Sequence, residues 1–435
     1  MSLTRLTSPH RAVIREFSDR LTDGCYPFIV RLNETHGVQE MISGPNLWNS
    51  AMALRKSWVK CGYPAGSKIQ VSTEGIHFAV QIFAALIGGY VIEPHLGAHL
   101  SPIFDPLTPE IRATNIENAV WFQMHSSGTT GAPKEIKLSS TGVLWQLKRH
   151  HDILKLERGQ TRLCALSLCH AFGLILDFLL GIYAQQTILM SPEKRMSRVV
   201  EILNQYSVDG IALVPRQLEL LLRESDHFTQ LTWIHTGGAL IRPDLKRAAS
   251  AKCTYLWEGY GLTEAGPGVL INGDSIGAET KIVDSELWIK IPSLQTNLEK
   301  PLTDGWFRTG DAVESIDGKI FPSGRMGRQH KSLAGTWDNL DQLENRWTHL
   351  LGATAVSIQK NPLQLSAWDI ALAGDSSQFG QKTIKNFEET LLRQFGVTCT
   401  FRILSVEDHF WNEMGKMVDK SLARAIEKLG HREAS

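Results

Sequence analysis

Ser126-Ser127-Gly128-Thr129-Thr130-Gly131-Ala132-Pro133-Lys134 is the stretch on which the reading of this chain turns. Its two glycines permit tight turns and let the backbone approach a ligand closely. Four hydroxyls and the backbone N–H groups can surround phosphate oxygens, and Lys134 adds a positive charge. It is not the common P-loop, G-x-x-x-x-G-K-[ST], because Glu135 rather than a hydroxyl follows the lysine. A plain Ser/Thr/Gly surface loop has the same composition, so the flanking sequence has to decide.

Upstream, Leu47, Ala51, Leu54 and Trp58 recur at helical spacing. A strand is predicted at 68–72, an apolar helix at 78–86, then Gly88-Gly89 and a strand at 90–92. Downstream a strand at 211–214 leads into a helix at 216–223. Strands alternating with helices argue for an α/β core with much parallel sheet. At Asp317-Gly318 the texture changes: 312–316 and 319–321 flank a two-residue hairpin turn. Beyond about residue 325, strands are predicted at 354–359, 369–373 and 399–406. A helix at 383–395 places Ile384, Phe387, Leu391 and Phe395 on one face and stops at Gly396, and a last helix covers 420–429. The domains predicted are 1–324, a hinge at 325–330, and a small α+β domain at 331–435.

Composition excludes several classes. The 435 residues are 43% hydrophobic and 21% charged, an ordinary globular balance. Lys plus Arg and Asp plus Glu each total 45, so no basic field recommends a nucleic acid or an anionic membrane. The six cysteines, at 25, 61, 164, 169, 253 and 399, form no C-x-x-C pair. Neither zinc nor a disulfide framework is indicated, and scattered thiols fit a reducing compartment. The first residues carry no apolar run of signal-peptide length. No apolar span approaches the ~18 residues of a membrane helix; 174–180 is short and contains Asp177. A soluble cytoplasmic protein with no integral membrane association is expected.

Further motifs stand in order along the chain: Ser167-Leu168-Cys169-His170-Ala171-Phe172-Gly173-Leu174, Gly237-Gly238-Ala239, Tyr260-Gly261-Leu262-Thr263-Glu264, Gly305-Trp306-Phe307-Arg308-Thr309-Gly310-Asp311, Gly324-Arg325 and Asn412-Glu413-Met414-Gly415-Lys416. Together with 126–134 they resemble the signature set of the adenylate-forming superfamily: acyl-CoA synthetases, aryl-CoA ligases, luciferases and peptide-synthetase adenylation domains. The resemblance implies an α/β fold with a large N-terminal domain of mixed parallel sheets and helices, a small barrel-like part, and a small mobile α+β C-terminal domain. It implies ATP-dependent conversion of a small carboxylic acid to acyl-AMP. Transfer to coenzyme A or to the phosphopantetheine of an acyl or peptidyl carrier protein would follow.

Roles carried over by the resemblance are as follows. Ser126, Ser127, Gly128, Thr129, Thr130, Gly131 and Lys134 hold the β- and γ-phosphates of ATP. Gly237, Gly238, Ala239, Glu258, Gly259 and Tyr260 surround the adenine, with Glu258 where many relatives carry Gln or Asn. Thr263 orients the α-phosphate and Glu264 ligates Mg²⁺. Asp311 and Arg325 fix the ribose, and Lys416 meets the charge that develops during adenylation. His170, Phe172, Gly173, Gly238 and Gly261 belong to the acyl pocket, lined from 170–174, 233–240 and 257–261; an aryl or medium acyl group suits them. Gly335 lies beside the thiol tunnel and Arg328 marks the hinge.

The chain departs from the family pattern in two places. Arg328 stands at the hinge Asp position, with one residue inserted before Gly335. Trp411 and Asn412 replace the Pro and first Lys of the C-terminal motif. Two other readings stay open. One is an adenylation-only or non-catalytic paralogue that binds an acyl-adenylate or a carrier protein. The other, a hydrolytic P-loop NTPase, is disfavoured by the lysine context.

Overall fold

Short β-branched and apolar runs separated by helices pair here into two large sheets, as the alternation predicts. The computed structural model describes residues 6–24, 26–95, 103–105, 107–126, 134–191, 195–224, 231–298, 301–331, 337–351, 353, 355–360, 367–374, 379–395 and 397–404. The chain divides into two units. One comprises Met1–Gly238, Leu245–Glu279 and Lys290–Trp306; the other comprises Ala239–Asp244, Thr280–Ile289 and Phe307–Ser435.

In the first unit a nine-stranded sheet has six parallel strands at its centre. Their spatial order is Cys253–Tyr260, Leu231–Gly237, Gly210–Leu213, Thr161–Cys164, Thr187–Met190 and Phe28–Leu32. A five-stranded sheet runs Ile103–Asp105, Lys68–Ser72, Val91–His95, Val120–Ser126, Lys134–Ser139. The helix Gly75–Gly88 is apolar except at His77 and Gln81 and is buried along most of its length, as its sequence requires. The helix Ser140–Leu154 buries Val143, Leu147 and Leu154, but also Gln146 and His150. Residues Phe172–Leu179 wind as a π-helix in which every residue is buried, Asp177 included. Arg162 pairs with Asp177 at 3.2 Å, both side chains buried, and its guanidinium lies 4.8 Å over the Trp233 ring.

The second unit contains most of a four-stranded sheet whose last three strands are antiparallel. Its strands are Glu279–Val283, Glu286–Lys290, Phe307–Ile316 and Lys319–Arg325. The Asp317-Gly318 turn has positive φ at both residues, 51° and 78°, the geometry a two-residue hairpin demands. The remainder is α+β. Ala355–Lys360 pairs antiparallel with Ala367–Ala373, which pairs parallel with Thr398–Leu404. The helix Gln381–Phe395 makes that crossover and buries Phe387, Leu391 and Phe395 against Trp368 and Leu343. Gly396, residues 405 and 406 and the predicted helix 420–429 lie outside the described residues. No helix among the described residues is long and apolar enough to cross a membrane.

Candidate active site

The two ends of the opening nonapeptide are fixed by sheet register. Ser126 ends one strand and Lys134 begins the next, and the two are antiparallel partners. Lys134 is exposed; Ser127, Gly128, Thr129, Thr130 and Gly131 lie outside the described residues. Beside Ser126, His125 Nε2 lies 2.6 Å from Glu93 Oε1, and Lys68 Nζ lies 3.3 Å from the other carboxylate oxygen. Burial works to raise the Glu93 carboxyl, but the bonds from His125, Gln70 and Lys68 hold it below its ordinary value. The strand leading to Ser126 is therefore anchored by a buried carboxylate that stays charged.

Thr263 and Glu264 sit in a single 3-10 turn, Thr263–Ala265, just past the strand Cys253–Tyr260. The segment 293–297 ties this turn to the strand that begins at Lys134. Gln295 N–H donates to Glu264 O (2.8 Å), Thr296 N–H to Lys137 O (2.8 Å), and Lys137 N–H to Asn297 Oδ1 (2.7 Å). Close backbone contact sets the floor. A Cβ on Gly237 would lie 2.7 Å from Gly259 O, and one on Gly261 only 1.6 Å from Pro267 O. Gly238 has φ +83°. Only glycine meets these demands without displacement. Glu258 is ion-paired with Lys246 Nζ at 2.7 Å, and its backbone N–H donates to Asn272 Oδ1.

His170 is half-buried, in the turn before the π-helix, and its carbonyl accepts from Leu174 N–H. Phe172 is buried and meets His235 edge-on at 5.0 Å. Gly173 is required sterically, since a Cβ would lie 2.2 Å from Ser167 O. The His235 ring also lies near Trp257 (6.5 Å), Trp257 stacks on Trp233 (5.7 Å), and Tyr255 stacks on Trp257 (6.2 Å). His235 is buried, and its pKa is held well below the ordinary value, first by burial and then by His150 and Arg162. It offers a neutral hydrogen-bonding ring on an aromatic wall.

The remaining assigned residues belong to the second unit. Ala239 opens its stretch Ala239–Asp244. Asp311 and Arg325 are sheet partners, joined at 3.0 Å between Arg325 Nε and Asp311 Oδ1. Asp311 N–H donates to Thr309 Oγ1. Arg328 pairs with Asp341 (2.6 Å) and with Glu344 of the helix Leu340–Leu350. Gly335 and Lys416 lie outside the described residues.

Among the described residues, no group of three or more His, Cys, Asp or Glu could hold a metal ion by itself. A lone Glu264 carboxylate still fits Mg²⁺, which in nucleotide enzymes takes one or two carboxylates plus phosphate oxygens and water.

A family model described as AMP-binding enzyme matches residues 65–288, just over half of the chain. The chain belongs to the AMP-binding enzyme family. Among curated members, 4-coumarate–CoA ligase CCL1 of Humulus lupulus is 28% identical over 276 residues, covering 56% of this chain and 49% of that one. The match spans about half the length of such relatives. Among solved structures, McyG A-PCP complexed with phenylalanyl-adenylate matches with TM-score 0.77 at 14% identity, covering 95% of this chain and 83% of that one. ATP-bound MatB from Rhodopseudomonas palustris matches with TM-score 0.76 at 16% identity, covering 95% and 99%. These likenesses show that the chain shares the fold of those structures.

Three side chains around the candidate site escaped the sequence reading: Gln146, His150 and Lys246. The first two had a signal. They fall on the buried stripe of Val143, Leu147 and Leu154, where a polar residue needs an internal partner.

Proposed function

We infer that this chain uses ATP to convert a carboxylic acid to acyl-AMP and pyrophosphate, then passes the acyl group to a thiol of coenzyme A or of a carrier protein. The observation that carries the reading is the 293–297 segment. It ties the turn of Thr263 and Glu264 to the strand that starts at Lys134, within one unit and beside the glycine floor. A phosphate-binding loop and an acidic turn so joined suit in-line attack on an α-phosphorus, where catalysis is positioning and charge stabilisation.

In this reading 126–134 hold the β- and γ-phosphates, and Lys134 supplies charge. Thr263 donates to the α-phosphate. Mg²⁺ held by Glu264 would neutralise phosphate charge. Asp311, an acceptor-only carboxylate steadied by Arg325, takes the ribose hydroxyls. Lys416 meets the developing charge, and 331–435 turns about a hinge near Arg328 between the two half-reactions. The aromatic wall of Phe172, His235, Trp257 and Trp233 favours an aryl acid. His235 is neutral and Arg162 is committed to Asp177, so a second carboxylate on the substrate finds no free cation among these residues. A second reading, adenylation without thiol transfer, is favoured by the Arg328 ion pairs, which stand where relatives place an acidic hinge residue.

A screen of carboxylic acids by ATP–pyrophosphate exchange, with and without coenzyme A, tests this. Aryl acids are expected to exchange, and thioester is expected with coenzyme A or a carrier protein. Failure of every acid, together with no effect of Lys416→Ala, would overturn the enzyme reading. ATP hydrolysis to ADP without AMP would mark a hydrolase.

A further inference from the structure

One carboxylate links four of the five strands in the sheet that carries Ser126 and Lys134. Glu93 stands in the middle of Val91–His95 and is 7% exposed. Its Oε2 accepts from Gln70 Nε2 at 2.8 Å and lies 3.3 Å from Lys68 Nζ, both on the strand Lys68–Ser72. Its Oε1 accepts from His125 Nε2 at 2.6 Å and from Gln123 Nε2 at 3.2 Å, both on Val120–Ser126. The same Gln123 nitrogen donates to Glu135 Oε1 at 3.1 Å, on Lys134–Ser139. A side-chain amide nitrogen carries two protons, so Gln123 serves both carboxylates at once.

His125 immediately precedes Ser126, and Glu135 immediately follows Lys134. His125 and Glu135 are cross-strand partners, one register position inside the Ser126–Lys134 pair. The last pair of a ladder is where main-chain bonding frays, and Glu93 grips both arms just short of it. The opposite face of these strands carries Ile69, Ile92, Phe122, Met124 and Ile136, all buried. Stability alone is served as well by apolar residues of that kind as by a buried ion pair. Donors from two strands converging on one buried carboxylate specify a geometry instead.

We propose that Glu93 is a positioning residue for the triphosphate: through His125 on one arm and Gln123–Glu135 on the other, it fixes the separation of Ser126 and Lys134. The consequence for ATP rests on the function inferred above; the double anchor does not.

Three variants of the full chain test this. Glu93→Met removes the shared acceptor at similar length. Gln123→Met cuts only the link to the arm that begins at Lys134. Glu93→Gln is the conservative variant. Its amide can turn its oxygen to His125 and Gln123, while Gln70 reverses its own amide and Lys68 swings aside. In Glu93→Met, hydrogen exchange of peptides covering 120–126 and 134–139 should rise about tenfold, the scale of one hydrogen bond to a charged group. KM for ATP in pyrophosphate exchange should rise about tenfold, with KM for the acid within about twofold, because the arms position phosphate and not acid. In Gln123→Met the rise in exchange should be confined to 134–139, with KM for ATP up about threefold. Glu93→Gln should stay within about threefold of wild type in every readout, which a role for the Glu93 charge itself would not allow. Unchanged KM for ATP in both Met variants, or equal rises for ATP and acid, overturns the proposal. Gln123→Met decides alone if Glu93→Met does not fold. If no acid supports exchange in wild type, the adenylation reading falls. The anchor then stands if protection and the calorimetric affinity for ATP with Mg²⁺ shift as stated, and falls if they do not.

Discussion

In the first unit His150 and His235 sit neutral in the core beside the Thr263–Glu264 turn; in the second, Glu344 sits part-covered between Arg328, Asp341 and the Ile358 N–H. Burial dominates both places but pushes in opposite senses. It drives the imidazole of His150 down to about 4 and the carboxyl of Glu344 up to about 7, the latter against the pull of Arg328. The first unit therefore holds these two buried histidines without charge at neutral pH. The second holds the segment after Arg325 by a group that is changing charge there. A centre meant to stabilise charge on a substrate gains from a scaffold whose own ionisation is fixed. On the proposed function the segment near Arg328 changes partners and has no such need.

The sharpest way to break this comparison is chemical. If the first unit carries the preorganised centre, Glu264→Ala should lower pyrophosphate exchange by about 10²–10³-fold, as loss of a transition-state contact does, with an unchanged thermal midpoint. A similar loss from Arg328→Ala would erase the distinction between the units.

Stability against pH comes next. His150 titrates lower folded than unfolded, so between pH 6.5 and 4 the unfolded chain binds the extra proton. The first unit should lose roughly 3 kcal/mol as pH falls across that window, read by hydrogen exchange corrected for intrinsic rate. His150→Phe should flatten the slope. Glu344 is the reverse case. Its folded pKa is raised, so its contribution is full below 4.5 and fades as pH rises through about 7. Peptides of the second unit should lose about 2 kcal/mol of protection over that range, less than the simple shift implies because the carboxylate is partly wet. Glu344→Gln should abolish that loss. Parallel slopes in the two units would refute the contrast. The smallest effect concerns Lys246 and Glu258, a partly exposed pair; Lys246→Met should change stability by less than ~1 kcal/mol, measured by urea denaturation.

What the sequence disclosed was local. Asp317-Gly318 announces its hairpin because both residues tolerate positive φ, a property of the dipeptide itself. Phe387, Leu391 and Phe395 announce their helix by spacing alone. Strand order, by contrast, depends on crossovers that no single window contains. The π-helical winding of 172–179 left no trace, because all eight residues are buried and periodicity is silent where every face is covered. Gln146 and Gly268 are 122 positions apart, so their bond was invisible, although the misplaced polarity of the helix stripe asked for one. The motif residues 127–131, Gly335 and Lys416 were legible only by resemblance, and their roles stay with the proposed function.

Gly261 carries a practical lesson. With Pro267 O where its Cβ would stand, that corner is built from main chain and offers no side chain to exchange. A saturation library aimed at new acids would spend codons there on misfolded variants. On the proposed function, diversity belongs at His235, Phe172 and Trp257, with the glycine corner kept as the fixed datum against which altered selectivity is read.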